Sequence, residues 1–283
     1  MTRLAIFDLD GTLLNTIGDL AVSCNAVLAL RGLVVYPEQT VHFDVGRTKS
    51  ALALEAAMKK DQILLLVPQK DILVDEPKLA DLCARFPGQV RPFDVDLSDR
   101  AKVDTFVQVL AASAPAPTHF IHLPALPVVN AKFKAFDQTR FDRDLEIQVH
   151  SAVRICRAVL PAMAKARFGR VLFIQTSYTI GCPPKNTAAY VMAKSAIGGL
   201  VKSLAVEYAK FGVTVNCVAP SMMETNFLKD TPDLIVQAAA EENPMGRNAT
   251  PADVVPAMAF LLSDEAGFIT GVTLPVTGGS AIV

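Results

Sequence analysis

Gly169-Arg-Val-Leu-Phe-Ile-Gln-Thr-Ser177 is the stretch that decides the fold. Val171 to Gln175 reads as a continuous apolar strand, without the polar alternation of a strand that has one wet face, so it belongs in a parallel sheet covered on both sides. A helical pattern from about Ala188 to Lys210 follows, and then the strand Thr214–Val218. Strand, long helix and strand in that order predict a right-handed crossover between parallel neighbours.

The alternation continues outward in both directions. Upstream, His119–His122 reads as a strand that leads through a proline-containing loop into a helix from about Thr139 to Lys165. Before it, Gln89–Phe93 reads as a strand, followed by a helix that Ser98 caps and that runs to about Ala112. Downstream, helices near Asp233–Glu242 and Pro251–Ser263 precede a closing strand at Val272–Val276. The class predicted is α/β, a Rossmann-like doubly wound parallel sheet, with an atypical N-terminal part. There, Leu4–Asp8 reads as a strand and Thr16–Leu30 as an amphipathic helix ended by Gly32. Val41–Val45 (strand), Ser50–Lys60 (helix) and Ile63–Val67 (strand) make a second unit, and Pro68 and Pro77 bracket a turn-rich stretch.

Composition excludes several function classes. With 283 residues, 51% of them hydrophobic and 19% charged, the chain can bury a large core. A net charge of −1 and the lack of a dense basic cluster argue against nucleic acid or an anionic membrane surface as partner. No uninterrupted apolar run approaches the roughly 18 residues of a membrane span, and Asp8 and Asp10 come too early for a signal peptide. The five cysteines (Cys24, Cys83, Cys156, Cys182 and Cys217) form no CxxC pair and are odd in number, as expected of reduced thiols in a cytoplasmic protein. No resident metal site is expected.

Chemistry concentrates in Tyr190-Val-Met-Ala-Lys194, with Ser177 thirteen residues before the tyrosine. On a helix, residues four apart share a face, so the Lys194 ammonium lies one turn from the Tyr190 phenol. A phenol ionises near pH 10, so acid–base work near neutrality needs about 4 kcal/mol of help, which neighbouring positive charge supplies. Ser177, at the tip of the strand, is placed to donate a hydrogen bond to a carbonyl oxygen, and the carboxyl ends of parallel strands are where open α/β sheets hold ligands.

From about residue 84 to 283 the chain resembles the short-chain dehydrogenases/reductases. Gly169–Ser177 resembles the family's strand with the catalytic serine, and Val213-Thr-Val-Asn-Cys-Val-Ala-Pro220 the strand whose turn contacts nicotinamide. Asn243-Pro-Met-Gly-Arg247 with Thr250-Pro-Ala-Asp253 resembles the lead into the last large helix, and Phe268–Gly279 the closing strand and glycine pair. The resemblance implies reversible hydride transfer between NADP or NAD and a small-molecule carbonyl or secondary alcohol. It implies Tyr190 as general acid/base, Ser177 as the hydroxyl that polarises the carbonyl, and Lys194 as the group that eases tyrosine ionisation and holds the nicotinamide ribose. Gln148 stands for the asparagine of a proton relay. Asp94 and Val95 would flank the adenine, Pro220 would contact the nicotinamide, and Thr225 would bond the cofactor amide or phosphate. Met222, Met223, Phe227, Cys182 and Pro183 are candidates for the substrate wall. A homodimer or homotetramer, paired through the helices holding Gln148 and Tyr190, is also implied.

Departures from the family pattern fall on the cofactor site. The glycine-rich dinucleotide loop is missing; Val45-Gly-Arg-Thr-Lys-Ser-Ala-Leu52 lies nearest its place, and only Gly46 survives. Ser50 and Leu52 replace glycines that let backbone approach pyrophosphate and helix pack on sheet, although Arg47, Lys49 and Ser50 could still hold phosphate. Lys49 and Lys70 favour NADP slightly over NAD. His122-Leu-Pro-Ala125 replaces an asparagine-alanine-glycine turn, and Ser221 the glycine after Pro220.

The N-terminal segment resembles other families. Leu4-Ala-Ile-Phe-Asp-Leu-Asp-Gly-Thr12, within residues 1–33, resembles the first motif of haloacid-dehalogenase phosphatases of the phosphoglycolate-phosphatase type, in which the first aspartate is a nucleophile beside magnesium. Residues 32–79 resemble the N-terminal domain of Lon-type proteases. The chain thus reads as a mosaic: an appended strand-helix segment over 1–40 and a reductase domain over 41–283, with 41–83 of uncertain origin. Two readings stand beside the oxidoreductase: a reductase-like scaffold without a working dinucleotide loop, and a magnesium-dependent phosphatase at Asp8.

Overall fold

The computed structural model describes residues 4–9, 63–68, 90–112, 116–228 and 231–282, with 4–9, 63–68 and 90–92 described by backbone alone. Their strands are β1 (Leu4–Leu9), β2 (Ile63–Pro68), β3 (Val90–Pro92), β4 (His119–His122), β5 (Gly169–Ile174), β6 (Val213–Pro220) and β7 (Thr273–Val276). They form one sheet in the order β3-β2-β1-β4-β5-β6-β7, every neighbouring pair parallel. The chain steps outward from β1 to β3 and then returns to β4 on the far side of β1. That reversal opens a crevice at the carboxyl ends of the strands.

Leu4–Leu9, the described part of segment 1–40, is an interior strand, with Leu4 opposite Ile63 on one side and Ala5 opposite His119 on the other. The run Leu4-Ala-Ile-Phe7 is apolar enough for an interior parallel strand, whichever family its motif resembles. The expected strand Val41–Val45 and helices Thr16–Leu30 and Ser50–Lys60 lie outside the described residues.

Helices cover both faces. The described ones are α1 (Arg100–Ala111), α2 (Gln138–Leu145), α3 (Ser151–Ala166), α4 (Ala188–Tyr208), α5 (Asp233–Glu242) and α6 (Pro251–Leu262). α1 starts one residue later than Ser98 capping predicts. Asp99 is the cap, its carboxylate accepting from the Ala101 and Lys102 amides, while the Ser98 hydroxyl donates to Asp96 at 2.7 Å. Val103, Phe106 and Leu110, spaced three and four apart, form its buried stripe. Each such side chain contributes roughly 1.5–3 kcal/mol by leaving water. α1 packs on α3, and their apolar faces meet Phe120 of β4 and Phe173 of β5, whose rings stack edge to face at 6.0 Å. α6 closes the other face of β5 and β6 with Val254, Val255, Met258 and Ala259.

The helix expected from about Thr139 to Lys165 is present but not uniform. α2 and α3 are joined by a π turn over Glu146–His150, in which Ile147 and Gln148 are buried. α4 lies along β6. Among the described residues only the stretch 188–211, containing this helix, is long and apolar enough by composition to cross a membrane. The chain then enters β6 through Gly212 at φ 74°, where a Cβ would come 2.4 Å from the Arg167 carbonyl oxygen, so a side chain does not fit. On β6 itself, fully buried Asn216 ties the closing segment down: its amide donates to the Ile269 carbonyl and its oxygen accepts from the Val272 amide.

Candidate active site

A cavity of about 440 Å³ opens beyond the carboxyl ends of β4, β5 and β6, within the size range of ligand pockets. Its floor is made by the residues just past each strand: Leu123 and Ala125 beyond β4, Thr176 and Tyr178 beyond β5, and Pro220 and Ser221 at the end of β6. α4 contributes Tyr190 and Lys194, and an apolar outer wall comes from Met222, Met223, Phe227 and Met258. Among the described lining residues the charged side chains are Lys185 and Lys194; no carboxylate is present.

Lys194 is nearly fully buried, and its ammonium donates to the Ile174 carbonyl at the end of β5, at 3.1 Å. The same nitrogen lies 5.8 Å from the centroid of the Tyr190 ring. A cation at this range stabilises negative charge developing on the phenol oxygen. The backbone beneath is fixed by Gln175, whose amide donates to the Lys194 carbonyl at 3.0 Å and whose oxygen accepts from the Thr273 hydroxyl at 2.9 Å. Gly198, one turn further along α4, makes room for it, since a Cβ there would lie 2.5 Å from the Gln175 amide nitrogen. Strand tip, helix and β7 are thus locked together beside Tyr190 and Lys194. Tyr178 lies across the cleft with its ring 6.2 Å from that of Tyr190, and burial pushes its phenol pKa up, so it remains a hydroxyl donor.

Of the residues singled out in the sequence, Tyr190, Lys194, Pro220 and Thr225 line this one cavity, as do Met222, Met223 and Phe227. Others do not. Ser177 is absent from the lining, which takes Thr176 and Tyr178 on either side of it. The chain leaves the extended conformation at Ser177, first residue of a short 3-10 turn, so the hydroxyl at the strand tip is the threonine's. Gln148 is also away from the cavity: its amide donates to Asp144 at 2.8 Å, and its backbone carbonyl accepts from His122 Nε2 at 2.8 Å. Cys182 is exposed on the loop before α4, and Lys185 and Asn186 line the cavity in place of Cys182 and Pro183. Asp94 and Val95 follow β3 at the opposite edge of the sheet, the aspartate exposed and the valine buried. Gly46 and Lys49 lie outside the described residues, as does Asp10, while Asp8 is near the carboxyl end of β1.

Two further features were not legible as site components. His122 is completely enclosed; burial is the main cause that pushes its pKa down to about 3, so the ring is neutral, with Nε2–H donating to Gln148 and Nδ1 buried without a partner among the described residues. The Ser221 hydroxyl, in the cavity wall, is likewise buried and has no partner among the described residues. Asn130 and Asn186 complete the polar rim, Asn186 in the left-handed region at φ 70°, which asparagine tolerates.

Comparison with known proteins fits this geometry. The family model described as enoyl-(acyl carrier protein) reductase matches residues 50–281. The chain belongs to the short-chain dehydrogenase/reductase family. Nodulation protein G of Rhizobium sp. (strain N33) is 30% identical over 206 residues, 73% of this chain and 83% of that protein. Oxidoreductase UcpA of Salmonella typhimurium is 33% identical over 156 residues, 52% of this chain, which spans 59% of UcpA's length. Among solved structures, a protein described as an NAD(P)-dependent gluconate 5-dehydrogenase from Beutenbergia cavernae, with NADP bound at low occupancy, superposes with a TM-score of 0.75 at 24% identity, covering 98% of this chain and 96% of the other. At that identity the likeness speaks for the fold alone, and it is the Rossmann-like sheet described above.

Proposed function

We propose that this member of the family is an NAD(P)-dependent oxidoreductase that interconverts a carbonyl and a secondary alcohol. The observation that carries the reading is the Tyr190–Lys194 pair facing one apolar cavity at the sheet's carboxyl edge, with Lys194 fixed to the tip of β5. The dinucleotide fits what surrounds it. Its nicotinamide end would meet Tyr190, Lys194, Pro220 and Thr225, and the Ser221 hydroxyl, which has no partner among the described residues, supplies a hydrogen-bonding group. Its adenine end would reach Asp94 and Val95 after β3, three strand spacings or roughly 14 Å from β4. Gly46 and Lys49 would lie by the phosphates, and Lys49 and Lys70 favour NADP over NAD. When bound, the cofactor supplies or removes hydride.

The protein's own residues handle the proton and the fit. Tyr190 exchanges a proton with the reacting oxygen, Lys194 stabilises the charge left on the phenol, and a hydroxyl from the tip of β5 holds the same oxygen. The Met222, Met223, Phe227 and Met258 wall selects a small molecule with apolar surface and excludes water. Pairing into a homodimer or homotetramer would cover Val153 on α3 and Met192 and Val206 on α4, apolar side chains that are exposed in the single chain. Reduced Cys156 and Cys217, both buried, fit a cytoplasmic location.

A second reading is favoured by Ser50 and Leu52 standing where glycines would cradle pyrophosphate: a reductase-like scaffold that binds no dinucleotide. Titrating NADPH and NADH into the protein by fluorescence or calorimetry separates the two, and millimolar cofactor without binding defeats the oxidoreductase reading. The likeness of residues 1–33 to a phosphatase motif, and of 32–79 to a Lon-type domain, would matter only if magnesium-dependent phosphatase activity were found and were abolished by Asp8→Asn.

A further inference from the structure

We infer that Lys185 is a specificity-determining residue that holds a negatively charged end of the substrate. The substrate class is then a carbonyl compound or secondary alcohol with an apolar body and an anionic group, carboxylate or phosphate; the inference rests on the oxidoreductase reading above. Local charge makes the first case. The whole chain is balanced, with 27 lysines and arginines against 28 aspartates and glutamates. The two stretches that build this side of the cavity are not. No carboxylate side chain occurs from Ala116 to Phe136 or from Ile147 to Val206, while Lys132, Lys134, Lys185 and Lys194 all fall within them. One sign of charge beside low-dielectric walls concentrates ligands of the other sign.

Neighbouring carboxylates are engaged elsewhere. Asp137 caps α2 by accepting from the Arg140 amide, and buried Asp144 accepts from the Leu126 amide and the Gln148 side chain. Asp253 takes two hydrogen bonds from the Arg247 guanidinium, and Glu224 adds to the negative charge around that same arginine. Lys194 is itself committed to the Ile174 carbonyl and the Tyr190 ring. Lys185 is different: it is exposed, lines the cavity, and has no ion-pair or hydrogen-bond partner among the described residues.

The backbone beneath Lys185 is fixed. Lys185 and Asn186 form a turn between Pro184 and Thr187, closed by the Thr187 hydroxyl, which donates to the Pro184 carbonyl at 2.8 Å. Asn186 takes the left-handed φ of 70° that a tight turn can require of its third residue. Its carbonyl accepts from the Ala131 amide at 3.0 Å, which ties the turn to the segment carrying Lys132 and Lys134. Pro183 and Pro184 stiffen the approach. Tyr190 follows five residues later, on the first turn of α4, so the groups for the anion and for the reacting oxygen stand on one anchored stretch. Opposite them, Met222, Met223, Phe227 and Met258 offer apolar surface alone. A contact at the cavity mouth is made before and during the reaction alike, so it acts on KM more than on kcat.

The test uses the full chain with NADPH and three probes that share one methyl ketone: 7-oxooctanoate, its methyl ester and 6-oxoheptyl phosphate. The wild-type ratio of kcat/KM for the acid over the ester is expected to be about tenfold, the contribution of one charge-assisted hydrogen bond. Lys185→Met is expected to bring the ratio to within about twofold of unity, chiefly through KM, Lys185→Arg to keep it, and Lys185→Glu to invert it. Raising NaCl from about 0.05 to about 0.5 M should shrink the wild-type ratio and leave that of Lys185→Met in place. The anionic probe with the larger ratio over the ester names the anion. A wild-type ratio near unity, or a preference that survives Lys185→Met, overturns the assignment, while turnover of the ester leaves the oxidoreductase reading standing. A loss in Lys185→Met matched by an equal loss of NADPH affinity, read by fluorescence, puts the lysine on the dinucleotide and also overturns it. If NADPH binds and no probe is reduced, calorimetric affinities of acid and ester for the NADPH-bound protein replace the rates and are judged by the same ratios. A protein that binds no NADPH and reduces no probe overturns the reading and the assignment together.

Discussion

The tips of β4 and β5 lie side by side, carry the same kind of polar residue, and treat it in opposite ways. At the tip of β5 the side-chain nitrogen and oxygen of Gln175 both have protein partners, and those partners are the Lys194 backbone and β7. At the tip of β4, His122 has one nitrogen bonded to Gln148, while its Nδ1 and the Gln148 side-chain oxygen are buried without partners among the described residues. The difference teaches that the Tyr190–Lys194 pair is built on the tip whose side chain bridges two elements, while the other tip holds a buried neutral ring one strand away.

Substitutions can break or sharpen that contrast. The largest effect is expected at the helix anchored to the satisfied tip: Tyr190→Phe should lower turnover of a carbonyl probe such as 1-phenyl-1,2-propanedione by about 10²- to 10⁴-fold, with NADPH binding retained, as read by steady-state oxidation of the cofactor alongside fluorescence titration. At the unsatisfied tip the signature is pH-dependent stability. The His122 pKa of about 3 lies below its unfolded value near 6.5, so the unfolded chain binds the extra proton between these values. Stability from this group is complete above pH 6.5 and is lost as pH falls toward 3, by about 1.4 kcal/mol per pH unit. Urea denaturation of wild type and His122→Asn between pH 7 and 4 should show the variant gaining on the wild type as the solution is acidified; parallel profiles would remove His122 from the account.

A smaller effect is expected for Gly198→Ala. Its Cβ would intrude on Gln175, and overpacking of this kind costs about 1–3 kcal/mol. Because Gln175 holds Lys194, turnover should fall with stability, whereas an equally destabilising core change elsewhere should leave the residual folded enzyme at full rate. The smallest effect lies far from both tips. Thr250 opens α6 in a reciprocal capping box with Asp253, whose carboxyl the Arg247 guanidinium holds well below the usual carboxylate range. Thr250→Ala should cost about 1 kcal/mol in thermal or urea unfolding and leave turnover untouched.

The same contrast separates the features that are legible in the sequence from those that are hidden in it. β4 to β7 and the described helices were legible because their apolar patterns are long and their caps local; Asp233–Glu242 is placed to the residue. The Tyr190–Lys194 relation was legible because helical spacing fixes it. Thr176 was not, because one residue of register at a strand end decides which hydroxyl enters the cavity, and spacing across a loop carries no such precision. His122 stood out as an unusual residue at the end of a strand, but its neutral state depends on enclosure from several elements. Leu4–Asp8 was recognised as a strand, yet its motif pointed to another family, and only pairing with β2 and β4 shows which sheet it joins.

The π turn between α2 and α3 carries a consequence for how this chain could be altered. A helix advances about 100° per residue, and the wide turn over Glu146–His150 resets the phase once, so that Gln148 meets His122 while Ile155 and Val159 still face the sheet. Deleting one residue from that turn would yield a smoother helix and the wrong protein: every side chain on one side of the deletion would swing by about a quarter-turn relative to the other, exchanging greasy positions for wet ones along four turns of α3. The irregularity is what allows a single rod to serve two neighbours whose demands are out of step.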